Sequence, residues 1–140
     1  MSTFKSPQLT ACFRQWRAEG THCRFTHAYR VWFELDFDQD INSMFNLYPE
    51  LKTYLNEWFL DNFNYKTFVS ENDPELDTFN YLNQNNVISL TVIPEVGCER
   101  FSEYVLDEVN NILKNNFDLD IRCVRVETWE HEKNSGVAYI

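Results

Sequence analysis

A chain of 140 residues, 44% of them hydrophobic and 16% aromatic, is long enough to bury its own core and too apolar to remain disordered. Its 22 acidic against 12 basic residues leave a net charge of −10, which excludes a general nucleic-acid binder because the phosphate backbone would be repelled. The longest apolar runs are only a few residues, far short of a membrane span, and Met1–Lys5 carries no apolar signal region, so a cytoplasmic chain with no membrane partner is expected.

No internal repeat or Pro/Gly/Ser-rich linker divides the chain, so residues 1–140 read as a single domain. The first strand is expected from about Leu9 to Trp16, followed by a loop through Gly20. From Tyr29 the apolar residues alternate (Tyr29, Val31, Phe33, Leu35 and Phe37), the signature of a half-buried antiparallel strand. Strict alternation places His27, Tyr29 and Val31 on one face. Asp36, Asp38 and Asp40 lack the glycine and closing glutamate of a calcium loop and read as a solvated strand end. Pro49 suits the first turn of a helix, and Tyr48, Leu51, Leu55, Trp58, Phe59 and Phe63 fall on one stripe of it.

The segment from Asn64 to Asn86 is polar and rich in Asn and Asp, with a short helix predicted over Pro74–Leu82. Val87 to Ile93 reads as a strand ended by Pro94. A second helix follows Gly97, with Phe101, Tyr104, Val105, Val109, Ile112 and Leu113 on one face. The last strand is Ile121 to Trp129, and Glu130 to Ile140 is loop or a short extension. This order predicts an α+β chain: an antiparallel four-stranded sheet with two helices on one face.

Cys12, Cys23, Cys98 and Cys123 form no C-x-x-C pair and read as free thiols, with Cys98 and Cys123 as small buried hydrophobes. Cys23 precedes a strand, with Arg24 as a neighbouring cation and His27 four residues on. Only three glycines occur, which excludes a Gly-rich phosphate-cradling loop. His131, between Glu130 and Glu132, is a candidate basic group close to Glu127 in sequence.

The segment Thr21-His22-Cys23-Arg24-Phe25-Thr26-His27-Ala28-Tyr29 resembles the 6-pyruvoyltetrahydropterin and 6-carboxytetrahydropterin synthase family, which carries Cys, three residues, then His-Gly-His. The resemblance implies the tunnelling fold, whose sheets join edge to edge between subunits into a barrel, with active sites at the interfaces of a homo-oligomer. It casts Cys23 as the proton-shuttling cysteine and His27 as a ligand of a Lewis-acidic Zn2+. Cys12 falls at the first-strand histidine position, and a thiolate is an acceptable zinc ligand; His22 is the candidate third. Ala28 and Tyr29 replace Gly-His.

The family's Asp-His relay after the first helix is replaced by Asn64-Tyr65, or by Asp61-Asn62 in a neighbouring register. Neither Asn nor an ordinary Tyr titrates near neutral pH. Val124-Arg125-Val126-Glu127-Thr128 matches the strand whose glutamate anchors a pterin ring, making Glu127 and Thr128 ligand-binding candidates. Glu99 sits at the matching helix entry, where it also suits the helix dipole.

The resemblance implies a lyase acting on 7,8-dihydroneopterin triphosphate or a related pterin, as in queuosine or 7-deazaguanine biosynthesis. The lost histidines favour a different outcome on the same scaffold: an altered or inactive homologue that binds a pterin, a purine-like ligand or a protein partner. Altered chemistry through Tyr29, Tyr65 or His131 is the third expectation.

Overall fold

Residues 2–20, 24–131 and 134–140 are described by a computed structural model, which gives the backbone alone for Tyr29 and Asn134. The strands are β1 (Ser2–Lys5), β2 (Leu9–Arg14), β3 (Phe25–Phe37), β4 (Lys66–Ser70), β5 (Leu90–Ile93), β6 (Cys123–Glu130) and β7 (Asn134–Tyr139). The helices are α1 (Ile41–Leu47), α2 (Pro49–Phe63), α3 (Leu76–Gln84) and α4 (Cys98–Asn111), and α4 runs on into a π-helical turn at Ile112–Asn116.

The expected antiparallel four-stranded sheet with two helices, the sheet of the tunnelling fold, is not what forms. One mixed seven-stranded sheet forms instead, in the order β5-β4-β2-β3-β6-β7 with β1 beside β3. Two physical features account for the difference. β4 lies parallel to β2, and β5 lies parallel to β4, because α3 carries the chain back between β4 and β5 as a crossover. The C-terminal residues, expected as loop or a short extension, turn back at His131 and form a full strand that pairs with β6 from Arg125↔Tyr139 to Glu130↔Asn134. The barrel inferred for the oligomer rested on the smaller sheet and falls with it.

β3 is the spine of the sheet, pairing β2 and β1 along one edge and β6 along the other. Its alternation slips once. Leu9 pairs with Val31 but Ala11 pairs with Ala28, so two residues of β3, Tyr29 and Arg30, oppose Thr10 of β2 at a bulge. Ala28 and Val31 therefore both face the core. His27, one residue before Ala28, points to the other face, so the expected His27–Val31 face does not exist.

The core lies on the face covered by α2 and α4. Leu51, Leu55, Phe59 and Phe63 of α2 and Phe101, Val105 and Val109 of α4 are buried there. Phe63 is the hub: its ring centroid is 4.7 Å from that of Phe33, 5.3 Å from Phe68 and 6.0 Å from Phe101. α3 packs on the opposite face, where Phe79 stacks on Phe25 with centroids 6.3 Å apart. Arg14 ties down the turn before α3 through Asp73, whose side chain is fully buried, at 3.0 Å. Asp40, expected as a solvated strand end, caps α1 by accepting from the Asn42 N–H at 3.1 Å. Among the described residues no helix is long and apolar enough to cross a membrane.

Candidate functional site

Three of the sequence candidates converge on the face opposite α2 and α4. Cys12 and His27 are direct cross-strand partners on β2 and β3, and so share a face. Cys12 is also opposite Thr67 on β4, and both line a shallow depression with Tyr65 and Asn86. Burial pushes the Cys12 thiol up, and a hydrogen bond with Thr67 partly offsets that. His22 and Cys23 lie outside the described residues, as does the side chain of Tyr29. A catalytic zinc takes three protein ligands, and among the described residues no group of three or more His, Cys, Asp or Glu side chains comes together. Cys12 and His27 are two donors, so the described residues do not make up a zinc site.

Asn64 and Tyr65, which stand where the relay was expected, have a structural task. Asn64 Oδ1 accepts from the Thr10 N–H at 3.0 Å, and the Tyr65 N–H donates to the Thr10 carbonyl at 2.6 Å. Together they splice the end of α2 onto β2. Tyr65 adopts a left-handed backbone (φ 58) with its side chain 76% exposed.

Glu127 and Thr128, expected to act together, point to opposite faces, as successive strand residues must. Thr128 is fully buried under α4, with its hydroxyl 2.7 Å from that of Ser102. Glu127 lies on the outer face, where it accepts from Arg125 at 2.6 Å and from the Ser135 hydroxyl at 2.7 Å. Arg125 also reaches Asp36 at 3.4 Å. Glu127 thus closes an ion-pair network across β3, β6 and β7. Glu99 is exposed in the first turn of α4. His131 sits at the β6–β7 corner with φ 58, its N–H donating to the Arg30 carbonyl at 2.8 Å.

Cys12, Cys98 and Cys123 are free thiols. Burial, then the charges of Glu130 and Glu99, push Cys98 up to about 12; burial likewise pushes Cys123 up to about 12, from an ordinary value of 9.0. The folded state therefore holds the Cys123 proton more tightly than the unfolded chain does. That contribution to stability is fully present below pH 9.0 and is lost as the pH rises toward about 12. In urea titrations across this range, the stability gap between the wild type and Cys123→Ala is expected to narrow above pH 9.0. A constant gap would show that the thiol ionises freely in the fold.

A groove of about 750 Å³, which the sequence did not single out, runs between the outer edge of β5 and the exposed side of α4. Glu71, Glu95, Glu103 and Asp107 stand along it against one cation, Arg100. Arg100 is held by Glu95 and Glu103, each at 3.1 Å. Glu71 and Asp107 have no ion pair among the described residues. Thr91, Ile93 and Tyr104 form the floor and continue into a narrow cleft reaching Phe63 and Phe101. Burial, then the charge of Glu108, push the Tyr104 hydroxyl up. The acidic signal was legible as net charge; its gathering here depends on β5 being an edge strand, which the sequence does not state.

No family model and no curated protein matches the chain. Among solved structures it is similar to an uncharacterized protein from Wolinella succinogenes, with a TM-score of 0.68 at 11% sequence identity, over 99% of this chain and 97% of that one. At that identity the likeness is one of fold alone.

Proposed function

We propose that this chain is an acidic binding protein that acts through contact with a partner protein. The observation that carries this reading is the groove beside β5, where four carboxylates and one already engaged guanidinium surround an apolar floor at an open sheet edge. The overall charge of −10 supports it, since a surface of this sign accelerates encounter with basic partners and repels polyanions.

The test is a photo-crosslinking amino acid placed at Val92, with Leu47, exposed on α1, as the control position. Discrete protein adducts at position 92, identified by mass spectrometry and absent at position 47, are expected in cells. Failure to form them would overturn the reading.

A second reading is favoured by the pairing of Cys12 with His27 and the presence of Tyr65 beside the same depression. It is a pterin-type ligand site with lyase chemistry. Incubation with 7,8-dihydroneopterin triphosphate and zinc separates the two readings: a new pterin product, lost in Cys23→Ala, would favour the lyase.

A further inference from the structure

We propose that the free edge of β5 takes an extended basic segment of the partner as an added strand, its Lys or Arg side chains lying across the groove toward Asp107, Glu103 and Glu71. This rests on the binding reading above and names the partner's chemistry and its mode of attachment.

The parallel ladder fixes which backbone groups are on offer. The Thr67 N–H donates to the Ser89 carbonyl and the Glu71 N–H to the Ile93 carbonyl, both at 2.8 Å. Ser89, Thr91 and Ile93 therefore turn their groups toward β4, and Leu90 and Val92 turn theirs outward. Asn83 Oδ1 accepts from the Leu90 N–H at 3.0 Å, which seals that donor. Among the described residues, the groups left open at the edge are the Val92 N–H and carbonyl with the Leu90 carbonyl, before Pro94 closes the strand. Edge strands with such groups open are templates for pairing, and strand addition is a recurring mode of peptide recognition.

Side-chain chemistry selects the occupant. Thr91 and Ile93 share the face of Phe68, the side covered by α4, so an added strand turns every second side chain toward α4. On that side it meets an apolar floor first and carboxylates beyond it. Lys and Arg match both, with an aliphatic stem for Ile93 and Tyr104 and a charged head for the rim. The intervening side chains emerge beside Val92, which is 42% exposed, and there an apolar β-branched residue fits. A second copy of this chain is a poor occupant because each copy carries −10.

The test uses the whole chain and a synthetic hexapeptide alternating Lys and Val, followed by amide NMR. Saturable shifts confined to Thr91, Val92, Tyr104 and Asp107, with slowed exchange of the Val92 amide, are expected. Raising the salt concentration should weaken binding. The double variant Glu71→Lys/Asp107→Lys replaces two exposed carboxylates without touching the core, and should weaken binding at least about tenfold. An alternating Lys-Pro peptide keeps the charge but lacks the N–H at every second residue, which breaks the hydrogen-bond ladder of an added strand, and should not bind. Equal binding of the Lys-Pro peptide, shifts spread over the whole acidic surface, or no shift at millimolar peptide would each overturn the inference. Crosslinked partners at position 92 in cells, with no binding of the Lys-Val peptide, would sink this inference and leave the binding reading standing.

Discussion

Truncating Phe63 to alanine is expected to cost about 3–5 kcal/mol of folding stability, the range for a buried aromatic residue reduced to alanine. The position earns the upper part of that range by its geometry. Phe63 is 2% exposed, and its ring meets Phe33 of β3, Phe68 of β4 and Phe101 of α4 at centroid separations of 4.7 to 6.0 Å. The three neighbours belong to different elements, so no single shift closes the cavity. Trp58, one turn back on the same helix, adds an edge contact at 5.9 Å. Urea denaturation of the variant should show the loss directly, and Phe63→Leu should recover part of it. A loss below about 1 kcal/mol would mean that the surrounding rings collapse into the space. The same substitution deepens the cleft under the groove floor, which Phe63 lines together with Thr91, Ile93 and Tyr104.

The elements legible in the sequence are those whose periodicity survives in the fold. The α2 stripe is buried at Leu51, Leu55, Phe59 and Phe63, with Trp58 partly buried, whereas Tyr48, expected in the same stripe, is the exposed N-cap; α4 buries Phe101, Val105 and Val109. β4 was hidden because Thr67, Phe68, Val69 and Ser70 are all buried. A strand covered on both faces has no alternation to detect, and this one sits inside an Asn- and Asp-rich segment. α1 is only seven residues long and buries Ile41 alone, too little for a stripe. β7 is masked by its composition: Ser, Gly and Ala are weak strand formers, and only pairing with β6 makes them a strand.

The candidate site was legible only in part. The resemblance makes Cys12 and His27 two of three candidate zinc ligands, with His22, and the sheet places these two side by side. Tyr65 lines the same depression, although its left-handed backbone and its bond to Thr10 were not readable from residue types. Glu127 carried the signal of a ligand carboxylate, but Arg125 and Ser135 already occupy its oxygens. Partners of this kind depend on strand register, which local pattern does not determine once a bulge has shifted it. The acidic groove joins residues 71, 95, 103 and 107 from β4's end, β5's end and α4. Those residues share no motif, and only the parallel placement of β5 brings them together.

Gly136→Ala is expected to detach β7 from α4, because the added methyl has nowhere to go. A Cβ at this position would lie 2.4 Å from the Glu99 backbone nitrogen and 2.7 Å from the Cys98 carbonyl carbon. Both are main-chain atoms in the first turn of α4, so no side-chain rotation relieves the overlap. Either α4 rises from the sheet or β7 gives way. α4 is anchored by buried Phe101, Val105 and Val109, whereas β7 pairs on one side only, so β7 is the element that moves. Its displacement also breaks the bond from the Ser102 hydroxyl to the Gly136 carbonyl, at 2.7 Å, and leaves that buried hydroxyl with Thr128 alone. Overpacking of this kind costs about 1–3 kcal/mol, with the unmet hydrogen bond adding about 1 kcal/mol or more. Amide exchange should localise the damage, with protection lost along Val137–Tyr139 and retained along β2 and β3. Uniform weakening across the sheet would show that α4 yields instead, and an unchanged melting temperature would show that the close approach of α4 to Gly136 does not exist in solution.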